Sequence, residues 1–295
     1  MLQPSLFDET VVRKIVNVAS VPHRSPFRYP GGKTWLVPYI RRWIGSQETR
    51  PIKHFFEPFA GGGIVSLTVA AEQLSNHVTM VELDEDVASV WQTIFGEHGE
   101  WLADKIVKFE INENTVDFIL GHEPPSLRER AFQTILKNRV NHGGILANGA
   151  GRLKHGENGK GMKSRWYPQT LKNRILDIIK MGKRITFIQG DGFDVIRQNI
   201  EVKDALFFID PPYTVAGKKA GTRLYRYSEV NHNELFELAS QIVGDFLMTY
   251  DNAEGVRELA SQYNFDTHII AMKNTHNIKM TELLIGRNLD WARSL

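Results

Sequence analysis

The 295-residue chain is 42% hydrophobic and 24% charged and contains no cysteine. That is the composition of an ordinary soluble protein, and it excludes disulfides, thiolate nucleophiles and Cys-ligated zinc or iron–sulfur clusters. The net charge of +2 conceals a division: residues 121–184 carry 14 Lys and Arg against 4 Asp and Glu, and the rest of the chain is net −8, which suggests a polyanion-binding face on an acidic body.

The first 22 residues read as a weakly ordered arm or an edge element, and Met1-Leu2-Gln3-Pro4-Ser5 has neither the basic nor the apolar region of a secretory leader. No apolar run is long enough to span a bilayer, so a cytoplasmic location is expected. After Gly31-Gly32-Lys33 the apolar spacing predicts a helix over 34–44. Residues 53–58 read as a short buried strand entering a glycine turn, 64–74 as the helix leaving it, 78–83 as a second strand, and 85–95 as its helix. This is the β-turn-α-β start of a doubly wound parallel sheet. Residues 96–182 differ, with helical patterns at 126–139 and 169–181 around a glycine-rich basic loop at 143–164. Strand-type runs return at 185–189, 205–209, 246–249 and 265–272, with a helix over 253–262. The expected fold is a Rossmann-like, doubly wound α/β sheet with an inserted, mainly helical, basic lobe. Residues 1–95 and 185–295 would form the two parts of the sheet domain and 96–184 the lobe.

Where the first strand meets its helix, the chain reads Phe55-Phe56-Glu57-Pro58-Phe59-Ala60-Gly61-Gly62-Gly63. Glycines there permit a tight turn and close approach to a ligand, and the helix N-terminus offers N–H groups. Glu82 ends the second strand, where a carboxylate can accept from both hydroxyls of a ribose. Together these features suggest an adenosine-containing cofactor. Ser66 stands where a dinucleotide fingerprint wants glycine, which disfavours an NAD-dependent dehydrogenase, and Phe27 stands where a P-loop ending in Gly32-Lys33-Thr34 would need glycine.

The sharpest feature is the buried-strand run Leu206-Phe207-Phe208-Ile209 ending in Asp210-Pro211-Pro212-Tyr213. Two prolines lock the backbone extended and end the ladder. The Asp210 carboxylate and Pro211 carbonyl become rigid acceptors at the carboxyl edge of the sheet, where such folds bind ligands. Paired acceptors suit an exocyclic amino group such as that of adenine, whose lone pair is delocalised into the ring and must be drawn out for attack on a sulfonium methyl. Tyr213 offers a flat face for an extruded base.

These motifs, in this order, resemble the Dam-like family of adenine-N6 DNA methyltransferases, which use S-adenosylmethionine. Phe27-Arg28-Tyr29-Pro30-Gly31-Gly32-Lys33 resembles the family's first motif, and the resemblance implies that Tyr29 and Lys33 line the methionine end of the cofactor. It assigns Phe59, Ala60, Gly61 and Gly63 to the main cofactor motif, Glu82 to the ribose, and Asp191 of Gly190-Asp191-Gly192-Phe193 to the cofactor's adenine. Asp210, Pro211, Pro212 and Tyr213 match the catalytic motif in full, with Asp210 also beside the cofactor. Met248-Thr249-Tyr250-Asp251-Asn252 and Met280-Thr281-Glu282-Leu283-Leu284-Ile285 resemble late strand motifs. The Asn138-Arg139 pair is present, but the loop that follows departs from the family pattern, so no recognition sequence is carried over.

The expected partner is DNA, double-stranded, contacted by Arg139, Arg152, Lys154, Lys160, Lys163 and Arg165 and by Lys218, Lys219 and Arg223 of a second basic stretch. The ten histidines show no metal-ligand spacing, and no metal is expected. A monomer acting beside a restriction endonuclease completes the expectation. The alternatives are transfer to another amino nitrogen (cytosine N4, RNA adenine or a glutamine amide) and a catalytically silent DNA-binding relative.

Overall fold

The computed structural model describes residues 20–48, 51–147, 149–156, 159–212, 230–273 and 279–293. Helix α1 (Val37–Ser46) follows one turn of 3-10 helix at Thr34–Leu36. Its buried stripe of Val37, Ile40, Trp43 and Ile44 lies on the core while Arg42 faces out, the amphipathic spacing expected of a covering helix. Strand β1 (Ile52–Glu57) leads to α2 (Ile64–Ala71), apolar but for Ser66 and Thr68 and buried from Ile64 to Ala70. Strand β2 (Ser75–Glu82) leads to α3 (Glu85–Phe95). Asp84 caps α3 by accepting from Asp86 N–H at 2.8 Å and Val87 N–H at 3.2 Å, and Glu85 and Asp86 add favourable charge in the first turn.

Four helices follow: α4 (Gly99–Lys108), α5 (Glu113–Leu120), α6 (Leu127–Val140) and α7 (Pro168–Met181). The first two were not expected from the sequence. Then come β3 (Ile185–Gln189), α8 (Gly192–Asn199), β4 (Ala205–Ile209), α9 (His232–Gln241), β5 (Asp245–Asp251), α10 (Glu254–Gln262), β6 (Asp266–Lys273), β7 (Lys279–Gly286) and α11 (Asp290–Arg293).

The seven strands form one sheet in the order β3-β2-β1-β4-β5-β7-β6. The first five are parallel, and β7 runs antiparallel between β5 and β6. The expected doubly wound α/β fold is therefore what the chain adopts. Chain progression reverses between β1 and β4, which makes their carboxyl ends the crevice where open α/β sheets receive ligands.

Strand side chains alternate between two cores. Phe55 and Phe208 join a large cluster with Trp43, Trp91 and Phe132, whereas Phe56 and Phe207 face the other way, among Phe236, Phe246 and Tyr250. Phe56 and Phe207 stack at 4.8 Å across the β1–β4 pair. The helices of 96–184 share the first core: α6 packs on α3, α7 on α4, and Phe109 bridges to Phe132 and Trp166. Among the described residues, no helix is long and apolar enough to cross a membrane.

Candidate active site

The carboxyl ends of β1, β2, β3 and β4 lie side by side and bring most of the expected cofactor residues to one edge. At the end of β1 the Glu57 carboxylate turns inward and accepts from Ser66 N–H at 2.8 Å, capping α2 from outside the helix. Burial pushes Glu57 up to about 8 against the opposing hydrogen bond from Ser66.

The glycine turn follows. Ala60 N–H donates to Val81 carbonyl at 2.9 Å, Gly61 N–H to Glu82 Oε2 at 2.9 Å, and the Trp91 indole to Gly61 carbonyl at 3.0 Å. Gly61 has φ +48°, and a Cβ there would lie 2.6 Å from the Tyr29 ring. Glycine is needed both for the backbone angle and to let Tyr29 close over the turn. Tyr29, Ala60, Gly61, Gly63 and Glu82 are thus one assembly.

Glu82 accepts from Asp84 N–H at 2.8 Å with its other oxygen. Each carboxylate oxygen keeps a second lone pair, so the group can anchor the β2 end and still accept hydroxyl donors. Burial raises its pKa to about 7. The neighbouring turn is tied to it, since Gly190 N–H donates to Glu82 carbonyl at 3.1 Å. Asp191 then caps α8 through Phe193 N–H at 2.9 Å. Gly192 packs against the glycine-turn motif so closely that a Cβ would sit 2.3 Å from Pro58 carbonyl. Phe59 meets Phe193 edge-on at 6.0 Å and walls this side of the crevice.

At the end of β4, Asp210 Oδ1 accepts from Thr249 Oγ1 at 2.7 Å and lies 2.9 Å from Lys33 Nζ. Lys33 is buried, only 3% exposed, donates to Gly31 carbonyl at 3.1 Å, and stands 3.8 Å from Glu282 Oε1 on β7. Lys33, expected beside the methionine end of a cofactor, is therefore also an ion-pair partner of Asp210. Pro211 is buried and Pro212 half-buried. Tyr213 lies outside the described residues. Behind the site, burial holds the Tyr250 phenol well above its usual range, and its oxygen lies 3.1 Å from His232 Nδ1.

The donor set of this edge is Glu57, Glu82, Asp191, Asp210 and Glu282 with one buried ammonium, Lys33. Carboxyl acceptors at the ends of β2, β3 and β4 around a glycine turn suit a ligand with ribose hydroxyl and adenine amino donors and a sulfonium charge, so the residues present fit S-adenosylmethionine. Among the described residues, no group of three or more His, Asp or Glu side chains is placed to hold a metal ion.

The expected DNA-contacting residues divide. Lys154, Lys160 and Lys163 are exposed, Arg165 is half-buried, and Arg152 is exposed and paired with Asp117. Lys218, Lys219 and Arg223 lie outside the described residues. Arg139 corrects the expectation: it is 3% exposed and donates to Pro26 carbonyl, so its guanidinium cannot reach a phosphate. Burial and the nearby Arg174 and Arg28 lower its pKa to about 9. Asn138 accepts from Arg28 N–H at 2.9 Å and donates to Arg28 carbonyl at 3.0 Å, and Arg174 donates to Ser25 carbonyl at 3.1 Å. This part of the basic region braces the segment that delivers Tyr29 and Lys33. The residues whose roles sequence reasoning missed are Glu57, Thr249 and Glu282; the last two lay in the late strand motifs without an assigned function.

The chain is similar to the type II methyltransferase M.MjaIII of Methanocaldococcus jannaschii, at 22% identity over 257 residues covering 82% of this chain and 85% of the relative. Among solved structures it is similar to the rRNA methyltransferase aviRa of Streptomyces viridochromogenes, with 11% identity, coverage of 88% of this chain and 87% of that one, and a TM-score of 0.41. It is also similar to TrmN of Thermus thermophilus, with 12% identity, coverage of 85% and 48%, and a TM-score of 0.36. The family of D12 class N6 adenine-specific DNA methyltransferases matches residues 29–278, from Tyr29 to beyond β6, and the chain belongs to that family.

Proposed function

We propose that this protein is a site-specific DNA methyltransferase that moves the methyl group of S-adenosylmethionine to N6 of an adenine turned out of a DNA duplex. One arrangement carries the reading. At the switch point beside the glycine turn, Asp210 is fixed through Oδ1 by Thr249 and Lys33, at 2.7 and 2.9 Å. A carboxylate clamped this way is a preorganised acceptor for an amino group that becomes cationic as it reacts.

When bound, S-adenosylmethionine supplies an electrophilic methyl group. Glu82 would receive the ribose hydroxyls, Asp191 and the Phe59–Phe193 wall the adenine, and Tyr29 with the Gly61–Gly63 turn the middle of the molecule. Asp210 and the Pro211 carbonyl accept the two N–H bonds of the target amino group, drawing its lone pair out of the ring. Asp210 then takes the released proton or passes it to water. Tyr213 provides the face on which the extruded base stacks. Residues 96–184 act as the target-recognition lobe, with Lys154, Lys160 and Lys163 on phosphates. The family match supports DNA as the substrate; action on duplex DNA in the cytoplasm, beside a restriction endonuclease, completes the proposal.

The test is long-read mapping of N6-methyladenine in a methylation-free host expressing the wild type or Asp210→Ala. Methylation in one defined context, absent with the variant, is the expected result and also yields the recognition sequence. Unmodified adenine in cells containing folded, cofactor-binding wild type would overturn the reading.

A further inference from the structure

The mechanism above uses neither buried glutamate; Glu57 caps α2, whereas Glu282 is left without a task. Glu282 sits in β7, paired in register with Asp251 of β5 and Ile270 of β6, and is 7% exposed. Its Oε2 is buried and has no hydrogen-bond partner among the described residues, while Oε1 lies 3.8 Å from Lys33 Nζ. A buried carboxylate oxygen without a donor is costly, and an apolar side chain would serve strand packing better beside Leu283, Leu284 and Ile285. The same ammonium is 2.9 Å from Asp210 Oδ1. One buried cation therefore stands between two carboxylates.

We propose that Glu282 is a positioning residue of the methyl-transfer site, a second carboxylate that shares the Lys33 ammonium with Asp210 and so sets how strongly Asp210 accepts a hydrogen bond. This rests on the function proposed above. An ammonium pairing with Asp210 alone would neutralise it at close range and make it a weak acceptor. An anion on the far side of the ammonium draws off part of that charge, and its own field keeps Asp210 basic. The charged or titratable groups facing Glu282 are Lys33 before α1, Asp210 at the end of β4 and Asp251 of β5; on β6 the facing residue is Ile270, with His268 two positions along. Burial raises Glu282 to about 7, Lys33 opposing and Asp210 and Asp251 adding to the shift. The effective form is thus present above neutrality and lost below it.

Glu282→Gln keeps the shape and removes the charge. Single-turnover methyl transfer to duplex DNA, measured from pH 5.5 to 9, is expected to be about tenfold slower than wild type at pH 8, the low end of what loss of a supporting group costs. The two rates should converge below pH 6, with the affinity for S-adenosylmethionine within about twofold throughout. A purely structural role gives a rate ratio that does not change with pH, and that result, or equal rates at pH 8, would overturn the proposal. A second readout needs neither substrate nor turnover. The Lys33 ¹⁵Nζ resonance of the free protein, assigned by its loss in Lys33→Arg, should titrate near neutral pH in wild type and in Asp251→Asn but not in Glu282→Gln. If wild type methylates no DNA adenine, the functional reading fails while this titration still decides the role of Glu282; a Lys33 resonance indifferent to Glu282→Gln sinks it.

Discussion

The two ends of the first motif's surroundings show opposite uses of charge. At the carboxyl edge of the sheet, Glu57, Glu82, Asp210 and Glu282 are buried or half-buried, and Asp210 and Glu282 face one buried lysine, Lys33. In the helical region of 96–184 the formal charge is strongly positive, yet it divides between exposed lysines and arginines turned into the protein. Local composition alone therefore misleads in both places. A whole-chain charge near zero hides a crevice with clustered carboxyl groups, and a basic stretch spends part of its charge on holding the chain together.

The largest expected effect comes from the crevice. Asp210→Ala should lower single-turnover methyl transfer by about 10³-fold or more, the scale of removing a preorganised charged acceptor. Its affinity for S-adenosylmethionine, read by calorimetry, should change by less than about tenfold, because Glu82, Asp191 and the glycine turn remain. A variant that binds no cofactor would instead make Asp210 mainly a binding group. On the other side of the comparison, Arg139→Ala should act through folding. It strands the Pro26 carbonyl and opens a cavity, a loss of about 1–3 kcal/mol that thermal unfolding would register as several degrees. An unchanged melting temperature with weakened DNA binding would return Arg139 to the DNA surface.

How far the sequence was legible follows from the same physics. Strand β4 was readable because Leu206 to Ile209 is apolar on both faces, as a buried parallel strand must be. The glycine turn was readable because its constraint is local backbone geometry. Helix α5 escaped because its apolar stripe is short, with Val116 buried and Ile119 and Leu120 only half-buried, and because Phe118 breaks the pattern at 66% exposed. The meeting of Lys33, Asp210, Thr249 and Glu282 could not be read, because it depends on β7 inserting between β5 and β6, a non-local pairing. Arg139 had a local signal that charge counting overrode. Ala131, Ile135 and Arg139 recur every four residues, which places the arginine on the buried face of α6.

A smaller effect should sharpen the contrast within the basic region. Lys163 is exposed and has no ion-pair partner among the described residues, unlike Arg152 with Asp117. Lys163→Glu is expected to weaken DNA binding by about tenfold and lower the salt slope by about one, as for one lost phosphate contact. Melting temperature and cofactor affinity should stay as in wild type. A DNA titration indistinguishable from wild type at low and high salt would take Lys163 out of the interface and leave Lys154 and Lys160 to be tested in the same way.

The smallest effect tests whether the crevice stores its acids at a cost. Glu57 is buried and raised from an ordinary carboxyl to about 8 by desolvation, despite the Ser66 N–H bond. A group whose folded pKa lies above its unfolded value stabilises most at low pH, where both states hold the proton. Its contribution falls as pH rises from the unfolded value to about 8, because over that window the unfolded chain has released a proton that the folded state still holds. Glu57→Gln keeps an acceptor for Ser66 N–H and does not titrate. Its melting temperature relative to wild type should therefore rise between about pH 5 and pH 8 and level off above that, a shift of a few degrees. A difference that stays constant from pH 5 to 9 would mean that Glu57 ionises as freely in the folded protein as outside it. Its role would then be the cap of α2 alone, with no share in the acidic character of the crevice.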